Sequence, residues 1–199
     1  GRLQDMQETF GAEAKARGVE LVTLNPMNKD AYASGMARLT AAGAEAGGGF
    51  DDSVVLAPVA AVISEASTYL APGGVMNVFA GVLRGTMAPI DLSLVYLDGA
   101  RVSGPTASSF DDLKLMLFQA ENGLLAPNRS VAAIGSLEAA SDGLQALQNA
   151  VYPGKVVIYP HIKPMPITAV PALKETLPSV YAKLENGRGW TTEAENEFL

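Results

Sequence analysis

Few side chains in this sequence can do acid–base, nucleophilic or metal chemistry. His161 is the one histidine and there is no cysteine, which excludes thiolate catalysis, disulfides and a zinc site of the usual Cys/His kind. An imidazole can relay protons near neutral pH, but no carboxylate stands near His161 in the sequence to orient it. We therefore expect His161 to have a surface or packing role.

Two pairs of adjacent aspartates are the next candidates. Asp51 and Asp52 could suggest a metal site, but neighbouring residues at a strand entrance point to opposite sides, so we expect a solvated turn. Asp111 and Asp112 are typical of the first turn of a helix, where the helix dipole stabilises negative charge. Neither pair predicts a catalytic centre.

Three small, polar-poor segments remain, each directly after an apolar run. They are residues 57–59, 79–82 and 104–108, and they contain mostly alanine, glycine, proline and serine. Such segments let backbone N–H and C=O groups approach a flat ring or a sugar closely. In doubly wound sheets, ligands bind beyond the carboxyl ends of the strands, where these segments would lie. The alternative is that they are ordinary turns.

The elements that position these segments alternate along the chain. Apolar runs predict strands at residues 19–24, 53–56, 75–80, 100–103, 131–134 and 155–159. Amphipathic stretches between them predict helices, with Asp30, Ser109 and Ser136 as N-caps. The helix after Ser109 is expected to bury Leu113, Met116, Leu117 and Ala120, and the helix after Ser136 is expected to bury Leu137, Ala140, Leu144 and Leu147. The alternation predicts an α/β fold with a parallel sheet covered on both faces.

After Tyr159 the chain becomes rich in proline, and only short helices are expected. We expect residues 1–159 to form one domain and residues 160–199 to form an extension that docks elsewhere.

The amino-acid composition and net charge exclude some classes of partner. The chain has 199 residues, of which 48% are hydrophobic and 18% charged, which is enough apolar material for a sizeable core. A net charge of -7 with scattered lysines and arginines argues against nucleic acid as a partner. No apolar run reaches the roughly 20 residues that span a bilayer, and the first residues lack the charged-then-apolar pattern of a secretory leader, so we expect none. We expect a cytoplasmic protein that binds a small molecule and no membrane.

Several segments together resemble the second half of the nucleotide-binding domain of the medium-chain dehydrogenases/reductases. They are residues 50–58, 70–75, 79–81, 101–104 and 154–158, and the resemblance extends over roughly residues 5–159. The Leu-Ala-Pro-Gly-Gly turn and the Pro-Gly-Lys-Val-Val strand are its most specific parts. Within that family the chain is most similar to the zinc-type alcohol dehydrogenases, in particular the polyol, sugar-alcohol and threonine dehydrogenase branch.

The resemblance implies a fold, a cofactor and a set of contacts. The fold is a partial doubly wound Rossmann sheet lacking its first strands, and the cofactor is NAD or NADP. The resemblance implies three groups of contacts with this cofactor. Ala57 and Pro58 would contact the adenine end. Phe79, Ala80, Gly81 and Val82 would contact the nicotinamide and its ribose, and Gly104, Pro105 and Thr106 would contact the carboxamide. The implied reaction is hydride transfer between this cofactor and an alcohol or ketone, such as a polyol or sugar derivative.

The departures from the family are equally specific. No G-x-G-x-x-G loop precedes the first strand, and the acidic residue for the adenosine ribose and the family's zinc ligands are absent. We therefore hypothesise that the chain is a truncated part of a longer parent protein and is inactive alone, with any zinc bound by the rest of the parent. The family commonly dimerises through the sheet edge near residues 91–104, so we expect a homodimer. The alternative is a non-catalytic α/β binding or interaction module.

Overall fold

The computed structural model describes residues 2–42, 47–105 and 107–199. Contacts divide the chain into two compact units: unit 1 comprises Gly1–Thr23 and Lys114–Leu199, and unit 2 comprises Leu24–Leu113. The helices are α1 (Arg2–Ala16), α2 (Lys29–Ala41), α3 (Ala60–Ser67), α4 (Ser93–Tyr96), α5 (Phe110–Glu121), α6 (Ala140–Gln148), α7 (Leu173–Thr176), α8 (Pro178–Tyr181) and α9 (Thr192–Phe198). The strands are β1 (Phe50–Val55), β2 (Leu70–Val78), β3 (Arg101–Ser103), β4 (Val131–Ser136), β5 (Lys155–Tyr159) and β6 (Thr168–Ala169). The predicted α/β class is confirmed.

Unit 2 is built on a parallel three-stranded sheet in the order β1-β2-β3. Its core lies on one face, where Met76 of β2 is fully buried and Ile63 of α3 is 5% exposed. Val55, Leu70 and Ala100 complete this core cluster. Helix α3 therefore covers one face of the sheet, as the predicted strand-helix-strand unit requires.

The other face of this sheet does not match the prediction that both faces are covered. Val54 of β1 is 60% exposed, and Phe79, just beyond β2, is 59% exposed. Side chains alternate between the two faces of a strand, so burial of Val55 places Val54 on the opposite face. A run of apolar residues shows that a strand has two apolar faces, but the sequence does not show what covers the second one.

At the start of this sheet, the backbone at Gly49, just before β1, lies very close to the backbone of β2. Gly49 has φ +91°, and a Cβ there would lie 2.6 Å from the backbone nitrogen of Ala71. The N–H of Gly49 donates to the carbonyl of Thr40 at 2.8 Å. Only glycine fits this position, since both the conformation and the space exclude a side chain.

Unit 1 contains a second sheet, in the order β5-β4-β6. Strands β4 and β5 are parallel, whereas β6, from the proline-rich segment, runs antiparallel to β4. We expected β4 and β5 to belong to the same sheet as β1 to β3. The pairing differs because alternation of strands and helices does not specify which strands become neighbours.

The core of unit 1 is formed largely by the C-terminal segment. Ile134, Leu173 and Ala194 are fully buried, and Val170, Val180, Leu184 and Trp190 belong to the same cluster. The rings of Trp190, Tyr159 and Phe198 pack against one another, with centroids 5.2 to 6.3 Å apart. The hydroxyl of Tyr159 donates to Oε1 of Glu195 at 2.7 Å. Burial, followed by this carboxylate, raises the pKa of Tyr159, so the phenol stays protonated.

Several local expectations need correction. Residues 19–24 do not form a strand, and Asn28, rather than Asp30, caps α2. The stripe on α5 that was predicted to be buried is exposed, with Leu113 at 47%, Met116 at 45% and Leu117 at 54%. Sequence periodicity identifies the apolar side of a helix but does not guarantee that this chain covers it.

Other local expectations are confirmed. Ser109 and Asp112 form a reciprocal cap at the start of α5: the Ser109 hydroxyl donates to the Asp112 carboxylate at 2.7 Å, and the Asp112 N–H donates to that hydroxyl at 3.2 Å. This contact lowers the pKa of Asp112. His161 is exposed, as expected for a surface residue. Within the described residues, each helix is too short or too polar to span a bilayer.

Candidate cofactor-binding site

The described residues of the candidate site lie beyond the carboxyl ends of the three strands of unit 2. Val55 at the end of β1 pairs with Val78 at the end of β2, and Asn77 pairs with Ser103 at the end of β3. Because the strands are parallel and their last residues are in register, the segments that follow them emerge at one edge of the sheet. These segments begin with Ala57-Pro58, Phe79-Ala80-Gly81-Val82 and Gly104-Pro105. Thr106, the ninth predicted contact, lies outside the described residues.

Backbone contacts hold these strand ends close together. The N–H of Ala80 donates to the carbonyl of Val55 at 2.9 Å, which continues the pairing of β1 and β2 beyond the last residue of β2. At the β3 side, a Cβ on Gly104 would lie 3.0 Å from the carbonyl oxygen of Val78. Gly104 therefore permits an approach between the second and third segments that most residues would prevent.

The outer surface of the middle segment is open. Among the described residues, no atom outside the immediate neighbours of Gly81 lies within 4 Å of a Cβ built there, and Val82 is 42% exposed. The N–H of Val82 donates to the carbonyl of Ala80 at 2.9 Å, which turns the chain sharply at Gly81. A similar three-residue turn joins Val59 to Ala57 at 2.8 Å. Both turns place backbone atoms and mostly small side chains beyond the carboxyl ends of the strands.

The chemistry available at this edge is binding rather than acid–base catalysis. The nine predicted residues carry no ionisable side chain. Asn77, two residues before Phe79, has an enclosed Oδ1 with no hydrogen-bond partner among the described residues. In the same part of the chain, no group of three or more His, Cys, Asp or Glu side chains could hold a metal ion. The site can therefore hold a flat or sugar-like ligand by backbone and van der Waals contacts.

Sequence reasoning missed a polar cluster on the helical side of unit 2. The hydroxyl of Tyr69 donates to Oε1 of Glu65 at 3.3 Å, and Tyr69 also packs edge-on against Phe50. Burial, followed by the nearby Glu65 carboxylate, raises the pKa of both Tyr69 and Tyr32. Both phenols stay protonated at neutral pH and link α2 to α3, so the cluster is structural. The spacing of Glu65 and Tyr69 by four residues is the one signal that could have indicated it.

Comparison with other proteins supplies relatives over most of the chain. No family model matches the sequence. The uncharacterized protein YggP of Escherichia coli is 32% identical over 171 residues, which cover 85% of this chain and 39% of YggP. Mannitol-1-phosphate 5-dehydrogenase of Aliivibrio fischeri is 28% identical over 197 residues, which cover 94% of this chain and 44% of that enzyme. The chain thus spans about two fifths of the length of these curated relatives.

Solved structures show the same fold. An alcohol dehydrogenase zinc-binding domain protein from Burkholderia ambifaria aligns with a TM-score of 0.52 at 21% identity, covering 62% of this chain and 34% of that one. A short chain alcohol dehydrogenase from Escherichia coli in complex with NADH aligns with a TM-score of 0.54 at 12% identity, covering 74% of this chain and 39% of that one. The expected resemblance to the zinc-type alcohol dehydrogenases is confirmed as a likeness of fold, and the chain has a partial Rossmann-like architecture.

Proposed function

We propose that this chain is the cofactor-binding part of a longer NAD(P)-dependent oxidoreductase that interconverts an alcohol and a ketone. The observation that carries the proposal is the convergence of three small-residue segments at the carboxyl edge of one parallel sheet, tied by the Ala80 to Val55 hydrogen bond of 2.9 Å. This edge is where doubly wound folds bind dinucleotides. We assign residues 1–159 to the partial NAD(P)-binding domain and residues 160–199 to an extension toward the rest of the parent.

The residues at this edge fit a nicotinamide nucleotide. Gly81 leaves open space beside the turn, so a planar ring can lie against its backbone. Phe79 and Val82 are 59% and 42% exposed and supply apolar contact to the ring and its ribose. Ala57 and Pro58, after β1, are small enough to admit the adenine end. When bound, the cofactor donates or accepts the hydride, whereas these residues orient it.

The rest of the binding machinery belongs, in this proposal, to other parts of the parent. Strand β1 is an edge strand, so one side of its backbone is free to pair with a further strand. We propose that the strand carrying the phosphate-binding loop pairs there, and that the parent supplies any zinc ligands. The 199-residue chain is then inactive alone, because it lacks the phosphate contacts and the acid–base groups.

The name of one relative supports a class of substrate for the parent protein. Mannitol-1-phosphate dehydrogenase is a polyol phosphate enzyme by its name and matches nearly the whole chain, which supports a polyol or sugar derivative as the substrate.

Strand β3 is the edge strand of the unit 2 sheet opposite β1, and all three of its residues are exposed. We propose that this edge joins two copies of the parent in a homodimer.

A second function has its own supporting observation. Leu56, directly after β1, is 70% exposed, and with Phe79 it forms an apolar surface beside the strand ends. An α/β interaction module without catalysis would use such a surface for a protein partner. The two functions differ in whether a nucleotide competes for the strand ends.

A matched pair of glycine substitutions tests the cofactor proposal. Gly81→Leu introduces a large apolar side chain at the turn, where no described atom outside the chain neighbours lies within 4 Å of the new Cβ. Gly11→Leu adds the same side chain on α1, where Oε1 of Gln7, at 3.5 Å, is the nearest described atom to the new Cβ outside the helix backbone. In the parent protein we expect Gly81→Leu to weaken NADH or NADPH binding at least tenfold and Gly11→Leu to leave it unchanged. Equal binding by both variants would refute the assignment of Gly81.

A further inference from the structure

The three residues Glu-Asn-Gly occur twice in the chain. They are residues 121–123, where helix α5 ends, and residues 185–187, between α8 and α9. An asparagine followed by glycine can modify itself, because the glycine nitrogen can attack the side-chain carbonyl carbon of the asparagine without hindrance from a side chain of its own. The sequence makes the two Asn-Gly pairs nearly equivalent, so the fold decides which of them reacts.

Hydrogen bonds restrain both reacting groups of the pair at the end of α5. Nδ2 of Asn122 donates to the carbonyl of Phe118 at 2.7 Å. The N–H of Gly123 donates to the carbonyl of Ala120 at 3.1 Å. Attack requires a free glycine nitrogen and a side chain that can turn toward it, so both hydrogen bonds must break first. The end of the helix therefore slows the reaction at Asn122.

The second pair lies in a tight turn and lacks these restraints. Asn186 is exposed, and Asn186 and Gly187 have φ +53° and +69°. Among the residues that the structure describes, none forms a hydrogen bond with the Asn186 side chain or with the N–H of Gly187. The bonds that close the turn join Glu185 to Arg188 and Gly189 and leave both reacting groups free. A left-handed conformation is unfavourable for a residue with a Cβ, which favours movement of Asn186 out of it.

We propose that Asn186 is a site of spontaneous deamidation and that the folded chain modifies itself there in preference to Asn122. The nitrogen of Gly187 forms a bond to Cγ of Asn186, and the bond from Cγ to Nδ2 breaks. The amide leaves as ammonia and takes the proton of the Gly187 N–H. Water then opens the resulting succinimide ring at either carbonyl, which gives aspartate or isoaspartate. In isoaspartate the main chain runs through the former side chain.

The products change both the charge and the backbone of a turn that helps to hold α1. The carboxylate of Glu185, next to Asn186, lies 3.6 Å from the guanidinium of Arg129. The guanidinium of Arg188 donates to the carboxylate of Glu8 in α1. A new carboxylate adds negative charge between these ion pairs, and isoaspartate adds one main-chain carbon to the turn. We therefore expect conversion of Asn186 to lower the stability of unit 1. The site does not depend on the proposed function.

Peptide mapping by mass spectrometry tests the preference with an internal control. The chain is incubated in mildly alkaline buffer, and conversion of amide to acid is followed at both asparagines. The two hydrogen bonds that must break at Asn122 should slow its reaction, so we expect Asn186 to convert about fivefold faster or more. In urea the fold is lost, and the two Glu-Asn-Gly segments should convert at nearly equal rates.

Two variants provide matched controls. Asn186→Gly removes the amide at a position whose positive φ glycine adopts freely, so the turn should keep its fold. The more acidic species that anion exchange detects in the incubated native chain should then be absent, whereas Asn122→Gln should still form it. After incubation the native chain should unfold at a lower urea concentration, as followed by the fluorescence of Trp190, and Asn186→Gly should not.

Three results would overturn the proposal. The first is equal or faster conversion of Asn122 in the folded chain. The second is a preference for Asn186 that is equally large in urea, because the flanking sequence rather than the fold would then set the order. The third is an unchanged urea midpoint after Asn186 has converted, since the turn would then accept the products without loss of its contacts.

Discussion

The hydroxyl of Ser136 forms two hydrogen bonds with the backbone of Met165, donating to its carbonyl at 3.1 Å and accepting from its N–H at 3.0 Å. The backbone N–H of Ser136 also donates to the Met165 carbonyl, at 3.2 Å. Ser136 is fully buried at the end of β4. The Ser136 side chain therefore adds two hydrogen bonds to the contacts that join the proline-rich segment to the sheet of unit 1, at a point 29 residues away in sequence.

Replacement of Ser136 by alanine should destabilise unit 1 by about 1–3 kcal/mol, since it removes both side-chain bonds and leaves the Met165 N–H without its partner. Urea unfolding followed by tryptophan fluorescence would report this, because Trp190 lies in the core of unit 1. Ser130→Ala is the matched control, as the Ser130 hydroxyl is exposed and bonds locally to Pro127 at 2.6 Å. An equal effect of the two substitutions would contradict the proposed role of these two hydrogen bonds.

Ala150 offers a stabilising substitution. It has φ +50°, and the bonds from Ala150 N–H to Leu147 and from Val151 N–H to Ala146 form the glycine-type cap that ends α6. Alanine is strained in this conformation, so we expect Ala150→Gly to raise the free energy of unfolding by roughly 0.5–1 kcal/mol. The midpoint of urea unfolding should increase, and an unchanged or lower midpoint would show that the strain is absent.

Alanine substitutions at Gly49 and Gly73 distinguish two ways in which a side chain can lower the free energy of unfolding: a steric clash and an unfavourable backbone conformation. Both have positive φ, +91° and +76°, but a Cβ on Gly49 meets Ala71 N at 2.6 Å, whereas a Cβ on Gly73 has no described atom within 4 Å. We expect Gly73→Ala to cost about 1 kcal/mol and Gly49→Ala to cost at least about 2 kcal/mol more. Thermal unfolding of the two variants would test this order, and similar losses would argue against the close approach of residue 49 to β2.

The ion pairs of Glu13 should make the stability of unit 1 depend on pH in the acid range. A hydrogen bond from Arg129 at 2.6 Å and the charges of Arg129 and Arg17 lower the pKa of Glu13. A lowered folded-state pKa contributes stability above the unfolded value, near 4.3, and this contribution is lost as pH falls through the lower folded value. Glu13→Gln should therefore be less stable than the native chain at pH 7, with the difference shrinking toward pH 3.

Glu121→Gln is the control for this measurement, because Glu121 is exposed on α5 and lies outside the Glu13 network. An effect of Glu121→Gln equal to that of Glu13→Gln at each pH would point to a general consequence of removing a carboxylate rather than to the Glu13 contacts. A difference between Glu13→Gln and the native chain that is the same at both pH values would contradict the ion-pair interpretation.

Local signals in the sequence predicted most elements and the segments of the candidate site. The capping pair Ser109 and Asp112, and the small segments after β1, β2 and β3, depend on residues close together in the chain. The structure brings the described segments to one sheet edge, and their role in cofactor binding stays a prediction.

Long-range relationships could not be predicted in the same way. Ser136 does precede the helical segment, as expected for a cap, but its hydroxyl bonds to the backbone of Met165 and forms no cap with the backbone of the helix. Helix α6 was correctly identified as apolar at Leu144 and Leu147, yet both are exposed. Which strands pair and which apolar sides are covered depends on contacts between distant segments, and periodicity carries no information about them.

Fluorescence titration of NADH and NADPH into the 199-residue chain and into the longer parent protein separates cofactor binding from the interaction module. We expect saturable binding by the parent and none by the chain alone, since in the proposed site the strand ends position the nicotinamide but supply no phosphate contacts. Absence of binding to both proteins would contradict the oxidoreductase assignment and would favour the interaction module. Tight binding by the chain alone would instead contradict the assignment of the phosphate contacts to the rest of the parent.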